Sequence, residues 1–116
     1  MSAPRSEGVV SAVLTPTGPP SRVIAGDPQT AELVLHVDGR MECGIWEVTP
    51  GEFHSAKPDS GEVMHFATGA GSIEHPDGSR TAIGPGVALA LPPGWTGVWR
   101  VTETVRKSYT IYAVTD

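Results

Sequence analysis

Apolar and polar residues alternate with a period of two along much of this chain, and this alternation limits the possible folds more than any other feature. Glu62, Met64 and Phe66 would share one face of a strand. Val63 and His65 would point to the opposite face. A period of two is typical of half-buried β-strands, whereas an amphipathic helix repeats about every 3.6 residues. Because no window has a comparable helical period, the pattern predicts an all-β domain.

Turn signals at short intervals divide this pattern into many short strands. The 116 residues include 14 glycines and 11 prolines, which leaves little room for long helices. Asp38-Gly39 and Pro76-Asp77-Gly78 are typical turns, and Pro92-Pro93-Gly94 closes an apolar run. We expect residues 69–71 to break one strand and residues 103–107 to form a charged hairpin. Many short strands with regular turns predict a sandwich or a barrel.

The first 22 residues differ in composition from the rest of the chain. They are rich in proline, glycine and serine, so we expect no packed core there. Residues 9–14 are apolar enough to form a strand where a partner edge exists, in this subunit or in another. The chain therefore divides into a flexible or strand-swapping arm, residues 1–22, and a barrel domain, residues 23–116.

Composition and charge exclude several classes of partner. The net charge of −5 and the scarcity of clustered basic residues argue against nucleic acid and against an anionic membrane surface. No apolar run approaches the roughly 20 residues of a membrane helix. Cys43 is the only cysteine, which excludes an internal disulfide and a thiolate metal cluster. With no export signal in the first residues, we expect a soluble protein in the cytoplasm.

Two spacings narrow the fold. Glu62 is followed after six residues by Gly69, and Gly86 is followed by five residues, Pro92, one residue and Gly94. These spacings resemble the end of the first cupin motif and the start of the second. Together with the sequence segments 44–53 and 99–107, these spacings make the chain resemble the cupin subfamily that includes the ureidoglycine aminohydrolase and ethanolamine-utilisation cupin domains. The resemblance covers about residues 26–112 and implies a small jelly-roll barrel around a small-molecule pocket, and a homodimer paired through sheet edges.

The resemblance also implies where a metal would bind. Metal-binding cupins carry His-x-His before the Glu of the first motif and one more His after the Pro-x-Gly of the second. In this chain those three histidine positions fall on Ser55, Lys57 and Gly97. Only Glu62 remains, while a catalytic metal needs about three protein ligands. We therefore expect no metal cofactor, and a vacancy at Gly97 that a ligand would occupy. The alternative is a divalent metal held by His54 and Glu62, with a bulge turning His54 inward.

Candidate functional residues follow from the predicted inward faces. Glu62 among apolar neighbours would have a raised pKa suited to proton transfer, or would form a structural ion pair with Lys57 or Lys107. Tyr109 is the second candidate catalytic group, and Lys57 would attract an anionic ligand. The candidate ligand-binding residues are Ser55, Lys57, Met64, Phe66 and Trp99.

These observations support three functions. The leading hypothesis is a small-molecule-binding cupin without the usual three-histidine metal site, acting as a metal-independent acid–base enzyme or as a pathway accessory. The second is a metal-dependent, aminohydrolase-like enzyme with nonstandard ligands. The third is a regulatory or interaction module that does not use its pocket. The ligand's identity does not follow from the sequence.

Overall fold

The computed structural model describes residues 7–114, and these residues form nine β-strands and no α-helix. The strands are β1 (Thr15–Gly18), β2 (Val23–Gly26), β3 (Thr30–Val37), β4 (Met41–Val48), β5 (Gly51–Ala56), β6 (Ser60–Glu74), β7 (Arg80–Ile83), β8 (Ala88–Leu91) and β9 (Thr96–Ala113). The all-β prediction is confirmed. Residues 7–114 contain no helix with the length and apolar character needed to span a bilayer.

The nine strands form one strongly curled antiparallel sheet. Its centre is the pair β6 and β9, the two longest strands, which run side by side over most of their length. The first half of β9 pairs with β5, which is flanked by β2. The second half pairs with β4, which is followed by β3 and β1. β7 and β8 pair with the other edge of β6. The curl of the sheet brings side chains of its two halves into one shared core.

Both central strands continue where the sequence suggested interruptions. β6 passes through Gly69 and Gly71, whose φ angles of 108° and 150° are strained for other residues, and its pairing with β9 shifts between Phe66 and Gly71. The predicted strand break is therefore a bend within one strand. The predicted hairpin at residues 103–107 is wrong, because β9 crosses this segment without a turn while paired with β4 and β6.

The core lies on the concave side of the sheet. Met64, Phe66 and Leu91 are almost completely buried, and Val63 and His65 are exposed, so the predicted faces of β6 are confirmed. Trp99 stacks on Phe53, with ring centroids 5.7 Å apart, and contacts Phe66 edge-on. Buried aromatic and branched side chains thus hold the two halves of the sheet together.

The arm contacts its own barrel in this chain. Residues 9–11 form a turn in place of the predicted strand at residues 9–14, and β1 begins only at Thr15. The Arg106 guanidinium donates hydrogen bonds of 2.8 to 3.1 Å to three backbone carbonyls between residues 9 and 12, and it pairs with Glu47. These bonds satisfy carbonyl groups that a strand partner would otherwise bind. Pairing of this segment with another subunit stays a prediction, and residues 1–6 of the arm lie outside the described residues.

Candidate functional site

A cavity of about 190 Å³ opens on the concave side of the sheet. Side chains of β3, β4, β5, β6 and β9 line it, together with Lys57 from the loop after β5. Its aromatic walls are Trp46, Phe53 and Trp99, whose rings pack against one another. Five of the eleven lining side chains are charged, so aromatic and charged groups share one cavity. Aromatic walls that carry a few convergent polar groups are typical of a small-molecule site.

Both lysines of the chain converge on one carboxylate in this cavity. The Lys57 Nζ atom lies 2.7 Å from Glu62 Oε1, and the Lys107 Nζ atom lies 2.6 Å from Glu62 Oε2. Lys57 and Lys107 are the only lysines among the 116 residues. Glu62 and Lys107 are almost completely buried, and Lys57 is partly exposed. We call these three residues the inner charge cluster.

The inner charge cluster decides between the two expectations for Glu62. Burial raises the pKa of Glu62, but the positive charges of Lys107 and Lys57 outweigh it and hold the pKa below its ordinary value of 4.5. The expected raised pKa is therefore wrong, and the ion pair is the arrangement present. Burial lowers the pKa of Lys107 below 10.5, although Glu62 opposes that shift. Lys107 is thus the group of the cluster that burial destabilises in its charged form.

Lys107 lines the cavity, whereas the sequence predicts it only as a possible ion-pair partner of Glu62. Its Nζ atom lies 4.5 Å from the ring centroid of Trp46 and 4.8 Å from that of Trp99, both within cation–π distance. The predicted hairpin at residues 103–107 interrupts the period-two pattern of Val105, Lys107 and Tyr109, and this pattern is present in β9. That pattern would have placed Lys107 on the inward face.

Acidic groups line the opposite part of the cavity. The Tyr109 hydroxyl donates a hydrogen bond of 2.7 Å to Glu42 Oε2. Gly44 permits this bond, because a Cβ atom there would lie 3.0 Å from the Tyr109 hydroxyl. Burial raises the pKa of Tyr109, and so do the hydrogen bond to Glu42 and the negative charges of Glu42 and Glu32. Tyr109 therefore remains a neutral hydrogen-bond donor across the physiological range.

The cavity brings together five of the seven residues that the sequence singled out. Ser55, Lys57, Glu62, Trp99 and Tyr109 line it. Met64 and Phe66 lie in the core and are not among the lining residues; Lys107 Nζ lies 3.7 Å from Met64 Sδ, and Trp99 packs edge-on against Phe66. Six of the eleven lining residues are not among the predicted site residues, and they are Glu32, Glu42, Trp46, Phe53, Lys107 and Ile111.

The residues at the cupin metal positions do not fit a metal. Both carboxylate oxygens of Glu62 are bonded to ammonium groups, so a cation would have to displace two positive charges. His54 is exposed on the outer face of β5, and no bulge turns it toward Glu62. Within residues 7–114, no group of three or more His, Cys, Asp or Glu residues could hold a metal ion.

The expected vacancy at Gly97 is wrong. A Cβ atom at Gly97 would meet the Glu74 carbonyl oxygen and the indole ring of Trp95. Trp95 is itself fixed, because its Nε1 atom donates a hydrogen bond of 3.0 Å to His75 Nδ1. The Nε2 atom of His75 lies 2.7 Å from the Thr81 hydroxyl, so both ring nitrogens of His75 have hydrogen-bond partners. The indole of Trp95 thus occupies the space that a histidine at position 97 would need.

Comparisons with known proteins agree with this architecture. The family model of the EutQ-like cupin domain matches residues 35–109. No curated protein matches the sequence of this chain.

Solved structures share the fold. One is a protein of unknown function from Pseudomonas syringae, of the DUF861 family, with a TM-score of 0.78 and 28% identity. The match covers 87% of this chain and 45% of the Pseudomonas chain. EutQ from Clostridium difficile has a TM-score of 0.65 and 20% identity, covering 74% of this chain and 69% of its own. Ectoine synthase from P. lautus has a TM-score of 0.65 and 22% identity, covering 74% of this chain and 64% of its own. This chain therefore spans less than half of the Pseudomonas protein.

Proposed function

The chain belongs to the EutQ-like cupin family, and from this premise we propose that it binds a small anionic molecule in its interior cavity without the usual three-histidine metal site. The observation that carries the proposal is the convergence of both lysines on Glu62 at the cavity wall. A carboxylate is the simplest anionic group that two ammonium groups recognise by charge-assisted hydrogen bonds.

The charge balance of the inner charge cluster supports an anionic ligand. Lys57 and Lys107 together carry two positive charges when protonated, and Glu62 carries one negative charge. An excess of one positive charge in a largely buried cluster is unfavourable unless another group pairs with it. A ligand carboxylate beside Lys57 would supply that pairing, because this ammonium group is partly exposed and has N–H donors beyond the one bonded to Glu62.

The size and walls of the cavity support a small ligand. A volume of about 190 Å³ is below the roughly 300–1,000 Å³ of pockets for drug-sized ligands, which suits a ligand of few non-hydrogen atoms. The rings of Trp46, Phe53 and Trp99 would cover the apolar part of such a ligand. Their burial by the ligand would add a hydrophobic contribution to the attraction between charges.

Ligand binding has better support than acid–base catalysis carried out by Glu62 and Tyr109, the two catalytic residues predicted from the sequence. The lowered pKa of Glu62 leaves this group ionised at neutral pH, so it does not hold the proton that a general acid would donate. Tyr109, whose pKa is raised, is suited to donate a hydrogen bond rather than to accept a proton. The metal-dependent alternative loses support because Lys57 occupies a ligand position.

The test removes the excess charge without leaving Glu62 unpaired. Lys57→Met keeps the pair Lys107–Glu62, and Arg80→Met removes one positive charge from an exposed surface as the matched control. Affinity for small carboxylates from acetate to caproate would be measured by calorimetry. We expect about a tenfold loss in Lys57→Met, which is about 1.4 kcal/mol, and no change in Arg80→Met.

Two outcomes would reject the proposal. If no carboxylate binds and native mass spectrometry of freshly purified protein detects no retained small molecule, the regulatory or interaction module becomes the better description. If Lys57→Met and Arg80→Met bind carboxylates equally well, the site is elsewhere. We further propose that the protein forms a homodimer, and sedimentation before and after deletion of residues 1–22 would test this. We also propose that it acts in the cytoplasm.

A further inference from the structure

From the charges that line the cavity, and on the premise of the function proposed above, we infer that the ligand is a zwitterion that carries a protonated amine as well as a carboxylate. The inference depends on the acidic groups of the cavity, which the binding of a simple anion leaves without a partner.

Two carboxylates outside the inner charge cluster line the same cavity. Glu42 accepts a hydrogen bond from Tyr109, but a neutral hydroxyl does not balance its charge. The Glu32 carboxylate has no hydrogen bond or ion pair with any residue between 7 and 114, although Glu32 is partly buried. A half-buried carboxylate without a cationic partner is unfavourable. We call Glu32 and Glu42 the acidic wall.

The sheet separates the acidic wall from the lysines. Glu32 and Glu42 belong to β3 and β4, whereas Lys107 and Glu62 belong to β9 and β6. β4 and β6 lie on opposite sides of β9, so their backbones are two strand spacings apart, which is about 10 Å. The cavity therefore has a negative side and a positive side, with the ring of Trp46 between Glu32 and Lys107 in the strand pairing.

This polarity selects among classes of ligand. A simple carboxylate would pair with Lys57 and leave Glu32 unpaired, and a simple amine would leave the excess positive charge of the cluster unpaired. A molecule with both groups pairs with both sides in one orientation. The aromatic rings between the two sides would contact the hydrocarbon that joins the groups.

The experiment compares ligands that differ only in one charge. The panel is β-alanine, γ-aminobutyrate, δ-aminovalerate and ε-aminocaproate, with the matched carboxylates from propionate to caproate and the matched primary amines. Dissociation constants would be measured by calorimetry and by tryptophan fluorescence at low salt. For the chain length that fits best, we expect the amino acid to bind at least about tenfold more tightly than either matched molecule.

Substitutions on the acidic wall identify the cause of this preference. Glu32→Gln keeps the shape of the side chain, removes one negative charge and should reduce the preference for the amino acid about tenfold. Glu103→Gln, on an exposed part of β9, is the matched control and should leave the preference unchanged. Glu42→Gln provides a second test, and a thermal melt of each variant checks that it is folded.

The outcomes separate the two proposals. If carboxylates bind in a Lys57-dependent manner and the added amine gives less than about a twofold gain, the ligand is a simple anion and the inference is wrong. A preference that survives both Glu32→Gln and Glu42→Gln would also overturn it. If amines alone bind as tightly as amino acids, the carboxylate contributes nothing and the proposed function fails as well. Absence of binding by the whole panel overturns both proposals.

Discussion

Two networks of ion pairs in this molecule have similar geometry and different surroundings. The inner charge cluster has distances of 2.6 and 2.7 Å between its charged atoms. The outer network joins Arg100 to Glu52 and Glu74 at 2.9 and 3.0 Å, and Arg80 to Glu74 at 3.3 Å. Glu62 exposes 3% of its side chain, whereas Glu74 exposes 31%. Distance alone therefore does not distinguish the two networks, but exposure to solvent does.

Exposure to solvent determines which of these charges are available for function. In the outer network, water and salt screen each charge, so an imbalance has a small effect on the free energy. In the inner charge cluster, the low-dielectric surroundings strengthen both the attraction and the penalty for an unpaired charge. An excess lysine charge inside the barrel therefore favours a ligand, and the same excess at the surface does not.

Glu62→Gln should have the greatest effect on stability, and it tests whether the inner charge cluster is as sensitive as its burial implies. Glu62→Gln leaves Lys57 and Lys107 without a counter-charge, and we expect the free energy of unfolding to fall by about 3–5 kcal/mol in urea titrations. The exposed variant Glu103→Gln is the control. A small carboxylate such as formate should restore more stability in Glu62→Gln than in the unaltered protein. A loss below about 1 kcal/mol, as in exposed pairs, would contradict the comparison.

Gly97→His should have the second largest effect on stability, and it tests whether the interior beside Gly97 is filled. Gly97→His places a side chain against the Trp95 ring and the Glu74 carbonyl, and overpacking of this kind lowers the free energy of unfolding by about 1–3 kcal/mol. Gly84→His is the matched control, because a Cβ atom at Gly84 meets no heavy atom within 4 Å. Unfolding by urea measures both. If Gly97→His is as stable as the control and binds one zinc ion per chain, the region is more open than described.

The Gly97 result shows where sequence reasoning reaches its limit. The alternation in β6 and β9 predicted which side chains face inward, and Ser55, Lys57 and Trp99 line the cavity as expected. The predicted space at Gly97 depended on what lies beside it in three dimensions. Trp95 fills it because of a hydrogen bond to His75, twenty residues away in the chain, and no local pattern indicates that bond.

Lys107 was placed incorrectly for a related reason. The charged residues of segment 103–107 suggest an exposed hairpin, and no local pattern in the sequence indicates that β4 and β6 pair with both edges of this segment. The pairing of β9 with two strands fixes its alternation through residues 103–107. Once those partners are known, the burial of Val105, Lys107 and Tyr109 follows from a period of two.

The third effect concerns the titration of Lys107. Because the chain has two lysines, NMR of lysine-labelled protein gives two side-chain resonances, and Lys57→Met assigns them. We expect Lys107 to titrate below 10.5, since burial lowers its pKa by more than Glu62 raises it. Between that pKa and 10.5 the unfolded chain binds more protons, so the free energy of unfolding should rise with pH. Titration of Lys107 above 10.5 would show that Glu62 outweighs burial.

The smallest effect tests the outer network. The hydrogen bond from Arg100 lowers the pKa of Glu74, as do the charges of Arg100 and Arg80, although partial burial opposes them. With a folded-state pKa below 4.5, Glu74 stabilises the protein above that pH, and the contribution is lost as the pH falls through the folded-state value. Glu74→Gln should therefore lower the free energy of unfolding by a small amount at neutral pH and low salt.

Salt distinguishes this loss of stability from the loss in Glu62→Gln. At 1 M salt the Debye length falls to about 3 Å, so the loss in Glu74→Gln should disappear. The loss in Glu62→Gln should persist, because solvent ions do not reach the buried pair. Urea titrations of both variants at low and high salt measure the contrast. A Glu74→Gln loss that salt leaves unchanged, or a Glu62→Gln loss that salt abolishes, would mean that exposure does not separate the two networks.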